Sequence, residues 1–177
     1  MGHLFIIRIP RSAGKAYQEI QEVVGEGEIK STDIKKLTYI AAIFRETLRL
    51  YPPVGFMARE AAEDVTLRDK FIKLGRTVII SPWLIHRNEN NWEKPDEFEP
   101  ERFLREHETP IKSKYLPFGM GPRVCIGAAF AMQEAVLILS TLLKTYRIEA
   151  YPNMEPKPVG RLTIRSDNGI NIRLFAR

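Results

Sequence analysis

Cysteine is nearly absent from this chain: Cys125 is the one such residue among 177. A single thiol excludes an internal disulfide framework and any zinc or iron–sulfur site built from several cysteines. Sulfur chemistry here therefore rests on one side chain, acting as a nucleophile, a single metal ligand or a buried apolar residue. Long apolar runs are scarce too. The longest, Ile126 to Leu143, contains Gln133, Glu134, Ser140 and Thr141, which makes it a poor bilayer span and reads instead as a buried helix. No charged stretch followed by an apolar run and a small-residue cleavage site opens the chain, so no signal peptide is read. Charge of one sign does not dominate any block either. The net +5 comes from 27 Lys and Arg scattered among 22 Asp and Glu, a pattern of solvated surface rather than of nucleic-acid binding.

What is present suits one globular domain, with 44% hydrophobic and 28% charged residues. Tyr17, Ile20, Val23 and Val24 share one helical face between Gly14 and Val24, and Gly25 ends that helix. Leu37, Ile40, Ala41, Phe44 and Leu48 predict a second helix that starts after Ser31 or Thr32 and stops before Pro52-Pro53. Short extended runs follow at Asp64–Leu67, Phe71-Ile72 and Thr77–Ile80, read as a small antiparallel sheet. The segment from Trp83 to Phe103 is rich in Asn, Glu and Pro and predicts a meandering loop. A helix is expected from about Ala128 to Tyr146. Asn168-Gly169 between Arg161–Arg165 and Ile170–Phe175 predicts a closing hairpin. The fold class is thus mainly α with small antiparallel sheets.

Chemistry concentrates in Phe118-Gly119-Met120-Gly121-Pro122-Arg123-Val124-Cys125-Ile126-Gly127. Gly119 and Gly121 permit tight backbone turns, and Gly127 permits close approach of a flat body. Cys125 falls just before a helix N-terminus, where unpaired amides and the helix dipole favour negative charge on sulfur. A lone cysteine without context is more often a small buried hydrophobe.

The loop resembles the cysteine loop of cytochromes P450 at every position that defines that family. Two further segments resemble the family in the right order: Glu46-Thr47-Leu48-Arg49 before Pro52-Pro53, and Pro100-Glu101-Arg102-Phe103. The resemblance runs from about Tyr17 to Arg177 and corresponds to the C-terminal part of the P450 fold. Residues 1–16 form an atypical leading segment, and the family's long helix with an acidic residue and a threonine over the far haem face has no counterpart there.

The resemblance implies haem b (iron protoporphyrin IX) with Cys125 as its axial thiolate. Such a ligand pushes electron density towards bound dioxygen. It also implies a haem contact from Phe118, close approach at Gly127, and propionate contacts from Arg123 and Arg59. Glu46, Arg49 and Arg102 are expected to form a buried triad rather than a surface pair worth ~0.3–0.5 kcal/mol. Val54, Phe56, Leu162 and Thr163 are expected to line an apolar substrate cavity. His86 is read as structural, packed beside Trp83 and Trp92, ahead of ligation. The implied reaction is monooxygenation of an apolar small molecule. Its electrons would come from NAD(P)H through a reductase, ferredoxin or flavodoxin docking beside Lys112, Lys114 and Arg123. The alternative is a non-catalytic or vestigial haem-binding chain, and location stays open between cytoplasm and membrane.

Overall fold

The computed structural model describes residues 10–104, 113–152, 154–161 and 163–177. Helix α1 (Pro10–Val23) buries Ser12, Ala16 and Ile20, one residue every four, which is the stripe that faces the core. It begins four residues earlier than the apolar spacing indicated. The predicted second helix is two pieces, α2 (Ser31–Ile34) and α3 (Thr38–Leu50). Asp33 serves both ends of α2: its carboxylate accepts from Lys30 N at 3.0 Å at the start, and its carbonyl accepts from Lys36 N and Leu37 N where the turn ends. Helix α3 is then capped from a distance, because the Glu19 carboxylate of α1 accepts from Tyr39 N at 2.7 Å and Ile40 N at 3.1 Å. These amides are orphan donors of the first turn, and a carboxylate there also suits the helix dipole.

Helix α4 (Pro82–Ile85) is a single turn capped by Ser81, whose hydroxyl accepts from Leu84 N. Helix α5 (Ala128–Thr145) buries Val136, Leu139, Ser140 and Leu143 against α1 and α3, while Phe130, Leu137 and Ile138 are exposed. Its apolar composition predicts a buried helix. Among the described residues one stripe is buried, because α1, α3 and the strand Tyr146–Ala150 supply its partners on one side. By length and composition it is also the one helix among the described residues able to cross a membrane. The core joins Ala16, Ile20, Leu37, Ile40, Ile43, Val136, Leu139, Leu143 and Ile148.

The strands form antiparallel pairs rather than one small sheet. β1 (Met57–Glu60) pairs with β4 (Thr77–Ile80), and β2 (Val65–Leu67) with β3 (Lys70–Ile72). The closing hairpin is not formed. β7 (Ile164–Ser166) pairs back with β6 (Pro158–Gly160), and β8 (Ile172–Ala176) pairs with β5 (Tyr146–Ala150). Asn168 is responsible: its side-chain oxygen accepts from Lys157 N at 2.8 Å and its amide donates to the Glu155 carbonyl at 2.8 Å. These bonds tie the turn to the strand before it, so the chain leaves for a second pair. Mixed helices and small two-stranded antiparallel sheets match the expected fold class.

Candidate functional site

The base of the site is α3. Glu46 and Arg49 lie one turn apart, and both side chains are fully buried. Arg49 Nε donates to Glu46 Oε2 at 2.7 Å and Nη2 to Oε1 at 2.8 Å, the bidentate fork that Lys cannot reproduce. Its remaining donors reach the carbonyls of His86 (2.7 Å), Pro95 (2.5 Å) and Glu97 (2.9 Å). Arg102 comes from the 3-10 turn Pro100–Phe103 and donates Nε to Glu46 Oε1 at 3.1 Å, while Glu99 N reaches the same oxygen at 2.9 Å. The buried charges thus hold the segment 86–102 as a ring of backbone carbonyls around one guanidinium.

Trp92, expected only as a packing neighbour of His86, also covers the charge cluster. Its ring is buried beneath three cations, with Lys114 Nζ at 4.9 Å and the guanidinium carbons of Arg49 and Arg102 at 5.2 and 5.9 Å. A tryptophan in an otherwise polar meander was the available signal. Tyr115 packs against Trp92, Phe103 and His86, and burial pushes its phenol well above the usual tyrosine range.

The cysteine loop is closed by its own backbone. Cys125 N donates to the Phe118 carbonyl at 2.9 Å, and Gly119 N to that of Leu116 at 3.2 Å. Gly119 and Gly121 hold φ of 77° and 73°, the left-handed region that glycine occupies without strain. Cys125 is exposed among the described residues rather than packed as a small hydrophobe. A Cβ added at Gly127 would meet only Cys125 Sγ, at 3.8 Å, so the space over that glycine is otherwise open. Met120, Val124, Ile126 and Phe130 stand exposed on the same segment.

The two segments expected to line a substrate cavity do meet. Ile164 N donates to the Pro53 carbonyl at 2.9 Å, and a cavity of about 300 Å³ lies between Gly55, Phe56, Trp83, Gly160, Arg161 and Ile164. Phe56 lines it; Val54 and Thr163 are exposed nearby in sequence without lining it, and Leu162 lies outside the described residues. Met57 extends the first segment to the cysteine loop, its Sδ 3.4 Å from where a Gly119 Cβ would stand. Arg123 is exposed in the loop; Arg59 is exposed on β1, with Nη1 on the carbonyl of Ala58 at 2.8 Å. Lys112 lies outside the described residues, and Lys114 is not a free surface cation. Its ammonium donates to the Asn91 carbonyl at 2.6 Å, which takes it out of the expected basic patch.

The family profile for cytochrome P450 matches residues 2–169. The chain belongs to the cytochrome P450 family. It is 37% identical over 172 residues to human cytochrome P450 4V2, covering 95% of this chain and 33% of that protein. A probable cytochrome P450 4s3 of Drosophila melanogaster is 32% identical over 163 residues, covering 92% of this chain and 32% of that protein. Cyclooctatin synthase of Streptomyces melanosporofaciens is 32% identical over 158 residues, covering 89% and 34%. The chain therefore spans about a third of the length of the curated relatives it matches. Haem is the cofactor that P450 membership implies, and the donor set suits it. Among the described residues no three His, Cys, Asp or Glu side chains converge on a bare metal ion. One exposed thiol among exposed apolar side chains fits a metal that would be carried by an apolar cofactor.

Proposed function

We propose that these residues form the thiolate-side wall of a haem monooxygenase, with Cys125 as the iron ligand. The observation that carries this reading is the exposed Cys125 on a loop closed by the Phe118–Cys125 hydrogen bond, with Met120, Val124, Ile126 and Phe130 exposed on the same stretch of chain. When bound, haem with a cysteine ligand supplies dioxygen activation for inserting one oxygen atom into an apolar molecule.

The chain's own residues do the holding. The loop backbone fixes the direction of the sulfur, and Gly127 leaves its face clear. Arg123 and Arg59 are the cations assigned to the haem propionates, whose charge needs partners at the rim of an apolar site. The Glu46–Arg49–Arg102 cluster fixes the meander on which the loop is mounted. The cavity beside Phe56 suits an apolar small substrate, and the next residue, Met57, reaches the cysteine loop. Electrons from NAD(P)H would arrive through a reductase, ferredoxin or flavodoxin docking on the cysteine-loop side at Arg123.

Haem binding is proposed for these residues themselves, and oxygenase activity for the chemistry of the whole family. Titrating the 177-residue chain with haem separates the two. One-to-one binding with a strongly red-shifted Soret band after reduction under carbon monoxide supports the ligand assignment. Turnover with an electron donor is then scored separately, and binding without turnover identifies a non-catalytic haem protein.

A further inference from the structure

His86 does more than fill space. Its side chain is fully buried, and both ring nitrogens are engaged with backbone from different parts of the fold. Leu116 N donates to Nε2 at 2.8 Å. Since an amide N–H can only donate, Nε2 must be the unprotonated nitrogen, and Nδ1 carries the hydrogen that it donates to the Arg49 carbonyl at 3.0 Å. Arg49 returns the contact by donating Nη1 to the His86 carbonyl. The imidazole also stacks on Tyr115, ring centres 5.5 Å apart.

Leu116 is the entry to the cysteine loop. Its carbonyl accepts from Gly119 N, and two residues later the Phe118 carbonyl accepts from Cys125 N. A continuous set of hydrogen bonds therefore leads from Glu46 through Arg49 and His86 to Leu116, one short turn from the bond that fixes Cys125.

We propose that His86 is a positioning residue that clips the start of the cysteine loop to the end of α3, so that the buried charge cluster and the presentation of Cys125 are energetically coupled. The significance of that presentation rests on the proposed haem-thiolate function; the clip itself does not. The neutral form is required, because a protonated Nε2 would face the Leu116 N–H donor to donor. Burial supports this, holding the imidazole below the ordinary histidine range, and the charged neighbours Arg49 and Arg87 act in the same direction.

The test uses the full 177-residue chain with His86→Phe, His86→Gln and His86→Asn. Phe keeps the ring and its stack on Tyr115 but removes both bonds. Gln can place an amide oxygen near the Nε2 position, whereas the shorter Asn reaches only the Nδ1 position. In haem-free protein, hydrogen exchange at the Leu116 amide should quicken by about tenfold or more in His86→Phe, since a buried donor loses its partner. His86→Gln should recover part of that protection and His86→Asn should not, while α1 and α5 amides keep theirs. In haem-loaded protein, the red-shifted carbon monoxide band should shrink relative to bound haem in the same order. An unchanged Leu116 exchange rate in His86→Phe, equal recovery by Asn and Gln, or a uniform loss of protection across all helices would each overturn the proposal. Should His86→Phe not fold, the Gln–Asn contrast decides. Failure of the parent chain to give the red-shifted band would count against the haem-thiolate function, and the amide exchange would still judge the clip.

Discussion

Replacing Arg49 probes the largest concentration of buried charge in the chain. Arg49 and Glu46 are both fully buried, and Arg49 makes five hydrogen bonds: two to Glu46 and one each to the carbonyls of His86, Pro95 and Glu97. In Arg49→Ala the Glu46 carboxylate stays buried without its main partner, a loss of about 3–5 kcal/mol when nothing compensates. Arg102 Nε and Glu99 N still reach Glu46 Oε1, so the lower end, about 3 kcal/mol, is expected. Against a total stability of roughly 5–15 kcal/mol for a domain, that is a large fraction. Arg49→Lys keeps the charge but has three donors for five acceptors, and should lose about 2 kcal/mol. The pair Glu46→Gln with Arg49→Met removes both charges and should be less damaging than the sum of the single changes, by about 1–2 kcal/mol. Urea unfolding followed by tryptophan fluorescence is the assay, since Trp92 lies 5.2 Å from the Arg49 guanidinium. A loss below about 1 kcal/mol in Arg49→Ala would refute the reasoning, because that is the value of an exposed ion pair.

Three further outcomes are expected. The His86 imidazole is pushed down to about 4, chiefly by burial. The unfolded chain therefore takes up a proton near pH 6.5 that the folded chain refuses until about pH 4, so this stabilisation is complete above pH 6.5 and fades as pH falls towards 4. The displacement corresponds to about 3 kcal/mol, and urea midpoints that fall with pH across this window in the parent but much less in His86→Phe are the check. Gly119→Ala should lose about 1–2 kcal/mol by the same urea assay, because φ is 77° there and Met57 Sδ stands 3.4 Å from the new Cβ. Electron transfer to the haem-loaded chain from an acidic donor should slow as salt is raised, an effect that Arg123→Ala reduces; stopped-flow reduction rates insensitive to salt would argue against docking at that arginine.

The motif-bearing parts of the fold were legible because their residue types have few alternative uses. Positive φ at residues 119 and 121 demands glycine, and a helix that must stop before Pro52 places Glu46 and Arg49 on one turn. Meeting of Glu46 with Arg102 came from family resemblance, since 56 residues separate them and spacing carries no such information. What escaped reading was decided by distant partners. Glu19 caps α3 from another helix, so the break after Ile34 has no local mark. Asn168 spends its amide on residues 155 and 157, which defeats an otherwise good hairpin pattern. β1, Met-Ala-Arg-Glu, has no β-branched residue and is a strand because Thr77–Ile80 lies alongside it. Helix α5 reads as buried from composition, yet burial depends on neighbours, and those described cover one stripe. Lys114 looked like free charge until its carbonyl partner on Asn91 was visible.

Whether Cys125 is the thiolate ligand of haem in this chain is decided by comparing the parent and Cys125→Ser after haem loading, reduction and exposure to carbon monoxide. A strongly red-shifted Soret band is expected in the parent and none in Cys125→Ser, with the helical circular dichroism of the two haem-free chains alike. A red-shifted band that survives in Cys125→Ser, or a parent that binds haem without one, would contradict the ligand assignment.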